Sequence, residues 1–318
     1  MIGLRFQVVA LLVAAYAAPA RVAAGAPAPA PAGAPLDCRL RCDFYKIGRS
    51  STRVVVTLAA PAEQFQGEGD EAPGPDLSLS AALAGARSGK AAGSFATTLR
   101  PVAAAPGKPG TRLFFQGEFT IDPGSYQAVF TLLDRRSRRG ATRTVTIVAP
   151  DFGRGLALSS LAIGRRAGAP GGTVVVPEPE AVFRDGETVA FAFEVYNAEH
   201  KGGATPDLDV QYEFLVDGDD GPRPTGRPVM LHRQGVESFE YSLPLQGWPE
   251  APCRVRVRVT DNRTRAVAER EEAFRVVAPA GGGSEVESAD RDRVKPPRAP
   301  GRLKEQRTSS QREEPPKG

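Results

Sequence analysis

Asp217, Asp219 and Asp220, in the run Asp-Gly-Asp-Asp-Gly, are spaced closely enough to offer several carboxylates to one hard cation. Such oxygens are the ligands that Ca²⁺ takes. The remainder of a calcium loop is missing: no Glu closes it, and Pro222 and Pro224 follow, so the run reads more simply as an Asp/Gly hairpin loop. A second pattern is Arg254, Arg256 and Arg258, which alternate with Cys253, Val255, Val257 and Val259. Period-two alternation puts the three arginines on one face of a strand. That stripe either meets a polyanion or faces Glu269, Arg270, Glu271 and Glu272 on the returning strand, and cross-strand ion pairing is the simpler outcome. The only histidines, His200 and His232, have no Cys/His spacing for zinc and read as surface residues. No Gly-x-Ser-x-Gly elbow, P-loop or dinucleotide fingerprint occurs, so neither catalytic residues nor a cofactor is expected.

These residues belong to short apolar runs separated by turn signals. Leu36, Cys38, Leu40, Cys42 and Phe44 alternate with Asp37, Arg39, Arg41 and Asp43, a half-buried strand with the apolar set facing the core. Four residues along a strand span about 13 Å, whereas a disulfide needs Cα atoms within about 7 Å, so Cys38 and Cys42 cannot pair on a regular strand. With Cys253 the chain has three cysteines, which leaves at least one thiol unpaired. Further strands are expected at Thr52–Ala59, Leu77–Leu83, Ser94–Val102, Arg112–Ile121, Tyr126–Leu133 and Thr142–Val148, then at Leu156–Ile163, Val189–Tyr196 and Leu208–Val216. Asp122-Pro123-Gly124 suits a tight turn, with Pro fixing φ and Gly accepting a positive one.

The chain has 318 residues, 41% of them hydrophobic, enough for two cores. Its 34 Gly and 29 Pro lie mostly between valine-rich runs, which favours strands and turns over helices. A net charge of +4 is too small to mark a nucleic-acid binder, so no specific nucleic-acid partner is expected. Arg5, the apolar run Val8–Ala18 and the small residues up to Ala24 have the pattern of a secretory signal peptide over 1–24. Residues 25–35 read as an Ala/Pro spacer, and 280–318, charged and without aromatics, as a disordered tail. No run after the signal is long enough to span a bilayer, so the expected location is periplasmic or extracellular.

Tyr126 precedes Asp134 by the same interval that separates Cys253 from Asp261, and each copy ends in a valine-rich strand running into Ala-Pro. This internal repeat predicts two duplicated domains, 36–150 and 151–279. The succession VAPDFGRGLALSSL (148–161), VFRDGETVAFAFEVYNAE (182–199), PDLDVQYEFLVDG (206–218) and RVRVRVTDN (254–262) resembles the C-terminal region of secreted bacterial von Willebrand factor A-related proteins. Members of that family carry an A domain before this region, whereas here a signal peptide, a spacer and one strand-rich unit precede it. Asp76, Ser78 and Ser80 match the Asp-x-Ser-x-Ser metal motif of A domains in letters alone, because the serines fall within a strand-like alternation instead of on a loop opening a helix.

The expectation is therefore an all-β chain of two tandem immunoglobulin-like antiparallel β-sandwiches. The function it suggests is a non-catalytic, exported interaction or spacer module of the bacterial cell envelope, with a protein or envelope polymer as partner. A structural envelope component and a hydrolase with a dispersed carboxylate site are the alternatives.

Overall fold

The computed structural model describes residues 20–21, 35–48, 50–65, 76–103, 112–169, 172–200 and 205–279. The expected signal peptide apart from Ala20 and Arg21, the spacer apart from Pro35, and the expected disordered tail lie outside the described residues. The described chain is almost all β. Its first part holds β1 (Ala20–Arg21), β2 (Arg39–Ile47), β3 (Ser51–Pro61), β4 (Leu77–Gly85), β5 (Ala91–Thr98), β6 (Arg100–Ala103), β7 (Arg112–Ile121), β8 (Gly124–Asp134) and β9 (Gly140–Ala149). Its second part holds β10 (Ala157–Leu158), β11 (Ala162–Ala169), β12 (Gly172–Pro177), β13 (Val182–Arg184), β14 (Thr188–Tyr196), β15 (Asp207–Gly218), β16 (Gly221–Pro224), β17 (Val229–Gln234), β18 (Ser238–Pro244), β19 (Pro252–Asp261) and β20 (Val267–Val277).

Each part is a pair of sheets closed over one core. In the first, β2-β3-β7, extended by β1 and β6 on β7, faces the four-stranded sheet β5-β4-β8-β9. Alternation explains the layering: Val54, Val56 and Leu58 of β3 and Phe115 and Phe119 of β7 join Leu77, Leu79, Phe95 and Phe130 from the opposite sheet in one buried cluster. Phe95 stacks on Phe119 across the gap with centroids 3.8 Å apart. In the second, β12-β11-β14-β18 faces a sheet ordered β13-β20-β19-β15, with β16 and β17 both on β15. Its core gathers Phe191 and Phe193 with Tyr212, Phe214, Val255, Val257 and Phe274.

Three expectations are corrected in detail. Ser94–Val102 is two strands: β5 pairs with β4, Leu99 gives its N–H to Leu77 O, and β6 continues on β7 of the other sheet. Leu156–Ile163 breaks at Ser159–Leu161, where the chain steps from one short pairing with β14 to the next. Leading into β2 the alternation holds for Leu36 and Cys38, but on β2 itself Asp43, assigned to the polar face, is 0% exposed. The cause is tertiary, because the second part covers that face. The cysteines do follow the spacing argument, and all three are free.

Candidate functional site

A dense polar grouping among the described residues lies at the joint between the two parts, built along β2. The edge of β2 that does not pair with β3 lies against Ser159–Leu161: Phe44 N–H donates to Ser160 Oγ at 2.9 Å, and Ser160 N–H donates to Phe44 O at 2.9 Å. Arg41 reaches across to Leu161 O at 2.9 Å while its Nε holds Asp43 at 2.9 Å, and Glu272 stands 3.7 Å from the same guanidinium. Lys46 N–H donates to Tyr196 Oη at 3.1 Å, and that hydroxyl in turn donates to Glu194 at 2.6 Å. At the other end Arg39 binds Glu180 at 2.6 Å, and Arg112 meets Glu178 and Glu180 at 3.1 and 2.5 Å. Arg165 completes the group on Glu178 at 2.6 Å.

Burial sets the electrostatics here. It pushes the Asp43 carboxyl above its ordinary value, against the pull of Arg41. Glu272 is raised by burial against Arg41, and Glu178 by burial against Arg165 and Arg112. Glu180, by contrast, is held down first by its hydrogen bond from Arg39. The Cys42 thiol beside Asp43 is pushed up to about 12 by burial, so it carries almost no thiolate at neutral pH and is a poor nucleophile. What this arrangement accomplishes is positional. A buried ion pair whose leftover hydrogen-bonding groups reach the partner's backbone tolerates little displacement.

The sequence-nominated residues lie on the far side of the second part, and the structure brings two of the groups together. Arg254 holds Asp217 at 2.9 Å and Glu271 at 3.2 Å; Arg256 holds Glu271 and Glu213, both at 2.9 Å; Arg258 holds Glu269 at 3.1 Å. The arginine stripe is thus a cross-strand ion-pair ladder over β15, β19 and β20. Burial acts to raise Glu271, but hydrogen bonds from Arg254 and Arg256 outweigh it and hold the carboxyl below its usual range. Asp220 pairs with Arg223, so two of the three nominated carboxylates, Asp217 and Asp220, already have arginine partners. Asp219 lies in the exposed turn between β15 and β16. Among the described residues no group of three or more His, Cys, Asp or Glu side chains could hold a metal ion. His232 binds Asp209 at 2.8 Å, and His200 contacts Ala198 O at 2.8 Å, both at the surface. Sequence reasoning missed the joint altogether. Its only signal is Asp43 flanked by half-buried apolar residues, a pattern shared by any solvated strand.

No family model matches the chain, and no curated protein matches it in sequence. Among solved structures, trypsin-activated alpha-2-macroglobulin from Escherichia coli aligns with 80% of this chain at 14% identity and a TM-score of 0.26. A DUF4785 family protein from Legionella pneumophila aligns with 74% of it at 9% identity and a TM-score of 0.23. The chain spans 17% and 56% of those two proteins, respectively.

Proposed function

We propose that the chain is a non-catalytic, exported interaction or spacer module of the bacterial cell envelope, made of two tandem immunoglobulin-like sandwiches. The observation that carries this reading is the joint. Polar side chains from β2 and β7 are spent on holding the second part in one fixed relation to the first, which leaves the outermost sheet of each part free to face solvent. Supporting the immunoglobulin-like assignment, the β2-β3-β7 sheet, with β1 and β6 added on β7, opposes the four-stranded β5-β4-β8-β9 sheet over one buried cluster, and β8-β9 recurs as β19-β20 with matching turns. The likeness to the C-terminal region of von Willebrand factor A-related proteins and the signal-peptide pattern supply the envelope location within the same proposal.

The experiment is affinity capture from cell-envelope extracts with the full chain as bait. A protein or polymer retained specifically above background is the expected result. Repeated recovery of nothing beyond background would sink the reading.

A further inference from the structure

The internal repeat aligns β8-β9 with β19-β20 residue for residue, and the aligned outer faces differ in kind. In the second part the cross-strand pairs are Arg256–Glu271 and Arg258–Glu269, both ion pairs. Their counterparts in the first part are Val129–Thr144 and Thr131–Thr142. The difference extends across the whole sheet. Ser78, Ser80, Ala82 and Ala84 on β4 pair with Leu133, Thr131, Val129 and Gln127 on β8, and the flanking strands add Ala96 and Thr98, then Thr142, Thr144, Thr146 and Val148. Among the described residues these paired rows carry no charged side chain, and Arg135, one residue past β8, stands at their end, on a chain whose composition is 25% charged. This sheet face is open to solvent, with Val148 64% exposed.

The face also carries a depression. A cleft of about 290 Å³ is lined by Ser78, Ser80, Thr98, Thr131 and Leu133, with Arg135 among its walls. Ser78 Oγ approaches Leu133 O at 3.3 Å and Ser80 Oγ approaches Thr131 O at 3.5 Å. Both contacts are long for a hydroxyl donor, so each hydroxyl stays available to donate or accept outward, while Arg135 offers only donors.

From these features we infer that the outer face of the β5-β4-β8-β9 sheet binds an uncharged polysaccharide. A sugar polymer presents hydroxyls that both donate and accept, at repeated intervals. The face answers with hydroxyls about 4.8 Å apart across strands and about 7 Å apart along them. Away from Arg135 at one end, no ion must be desolvated against a neutral chain. Protein partners are disfavoured by the same composition, since protein–protein interface cores are enriched in aromatics and depleted in Ser and Ala. This inference rests on the reading of the chain as a binding module and names the class of ligand.

The test is affinity electrophoresis of the full chain in gels containing starch, dextran or a mixed-linkage β-glucan, with alginate as the acidic comparison. At least one neutral polymer should retard the chain, equally at low salt and in 1 M NaCl. Thr144→Arg and Thr98→Arg, both at exposed positions, should each weaken retardation at least tenfold, whereas Glu269→Gln on the second part should leave it unchanged. Retardation by alginate alone, retardation unaffected by both arginines, or none by any neutral polymer would overturn the proposal. So would a concentration-dependent dimer abolished by Thr144→Arg, because the face would then belong to a second copy. Capture of an envelope protein by wild type and Thr144→Arg alike would end this inference while leaving the interaction-module reading intact.

Discussion

At the scale of single residues, the repeat is visible in two aspartates. Asp134 and Asp261 are 5% and 1% exposed, and each ends a strand and caps the turn that follows. Asp134 accepts from Arg136 N at 3.2 Å and Ser137 Oγ at 2.6 Å; Asp261 accepts from Arg263 N at 2.9 Å and Thr264 N at 3.4 Å. Each also accepts from a neighbouring loop, Asp76 N at 3.3 Å or Glu199 N at 3.0 Å. Both turns close with an arginine at positive φ, Arg138 at 56° and Arg265 at 63°. Substituting Asp261→Ala should cost about 1–2 kcal/mol in urea unfolding, because three part-buried N–H donors lose a charged acceptor. Arg265→Gly should gain up to about 1 kcal/mol by relieving the left-handed strain. Burial works to raise the Asp261 carboxyl, but the backbone hydrogen bonds from Glu199, Arg263 and Thr264 prevail and hold it below its ordinary value. A depressed folded pKa means that this stabilisation is present above the unfolded value of about 3.9 and is lost as pH falls through the folded one. Urea curves of wild type and Asp261→Asn should therefore converge as pH drops below about 4.

At the scale of elements, β2 and the residues leading into it show how much alternation reveals and where it stops. Period two assigned Leu36 and Cys38 to the core and showed that Cys38 and Cys42 could not bridge, because both results depend on local geometry alone. The same rule gave Asp43 to solvent, and it is buried, since what covers a strand's second face is set by residues more than a hundred positions away. Asp43→Ala should destabilise the chain by about 3–5 kcal/mol, the cost of leaving the Arg41 guanidinium buried beside only a more distant Glu272. The pH dependence of Asp43, Glu178 and Glu272 in the joint has the opposite sign to that of the turn cap, whereas Glu180 shares the turn's sign. Because Asp43, Glu178 and Glu272 are raised in the folded state, their ionisation penalty is absent below the unfolded pKa and grows as pH rises toward the folded values. Mild acid should thus favour the joint before it weakens the turn, which amide exchange resolved by segment can follow. On β11, a Cβ at Gly164 would lie 1.8 Å from Val176 O, a backbone atom that cannot move aside. Gly164→Ala should cost at least about 2 kcal/mol and disrupt the pairing of β11 with β12.

At the scale of the molecule, hydrogen bonds and ion pairs from Arg39 to Lys46 and at Arg112 tie the two parts together. Breaking them exposes buried charge, so the two parts should unfold as one cooperative unit, seen in calorimetry as a single transition. The double variant Asp43→Ala with Ser160→Ala should split that transition in two. A single unchanged transition in the double variant would show that the joint contributes little to the coupling.

The sequence by itself determined the local quantities: the β class, most strand positions, the hairpin turns and the pairing of the arginine stripe with Glu269 and Glu271 across β19 and β20, though Glu272, also expected there, meets Arg41 instead. All of these follow from side-chain periodicity and turn chemistry within a few residues or between adjacent strands. Only the tertiary structure decided that Ser94–Val102 changes sheets at Leu99, that Asp43 is interior, and that the aligned outer faces of the two parts form an ion-pair ladder on one and rows of uncharged, largely hydroxyl side chains on the other. The physical reason is common to all three. A strand's periodicity states that it has two faces, but which strand or domain each face meets is a matter of packing between distant segments, and a function carried by a surface is defined only once that packing is complete.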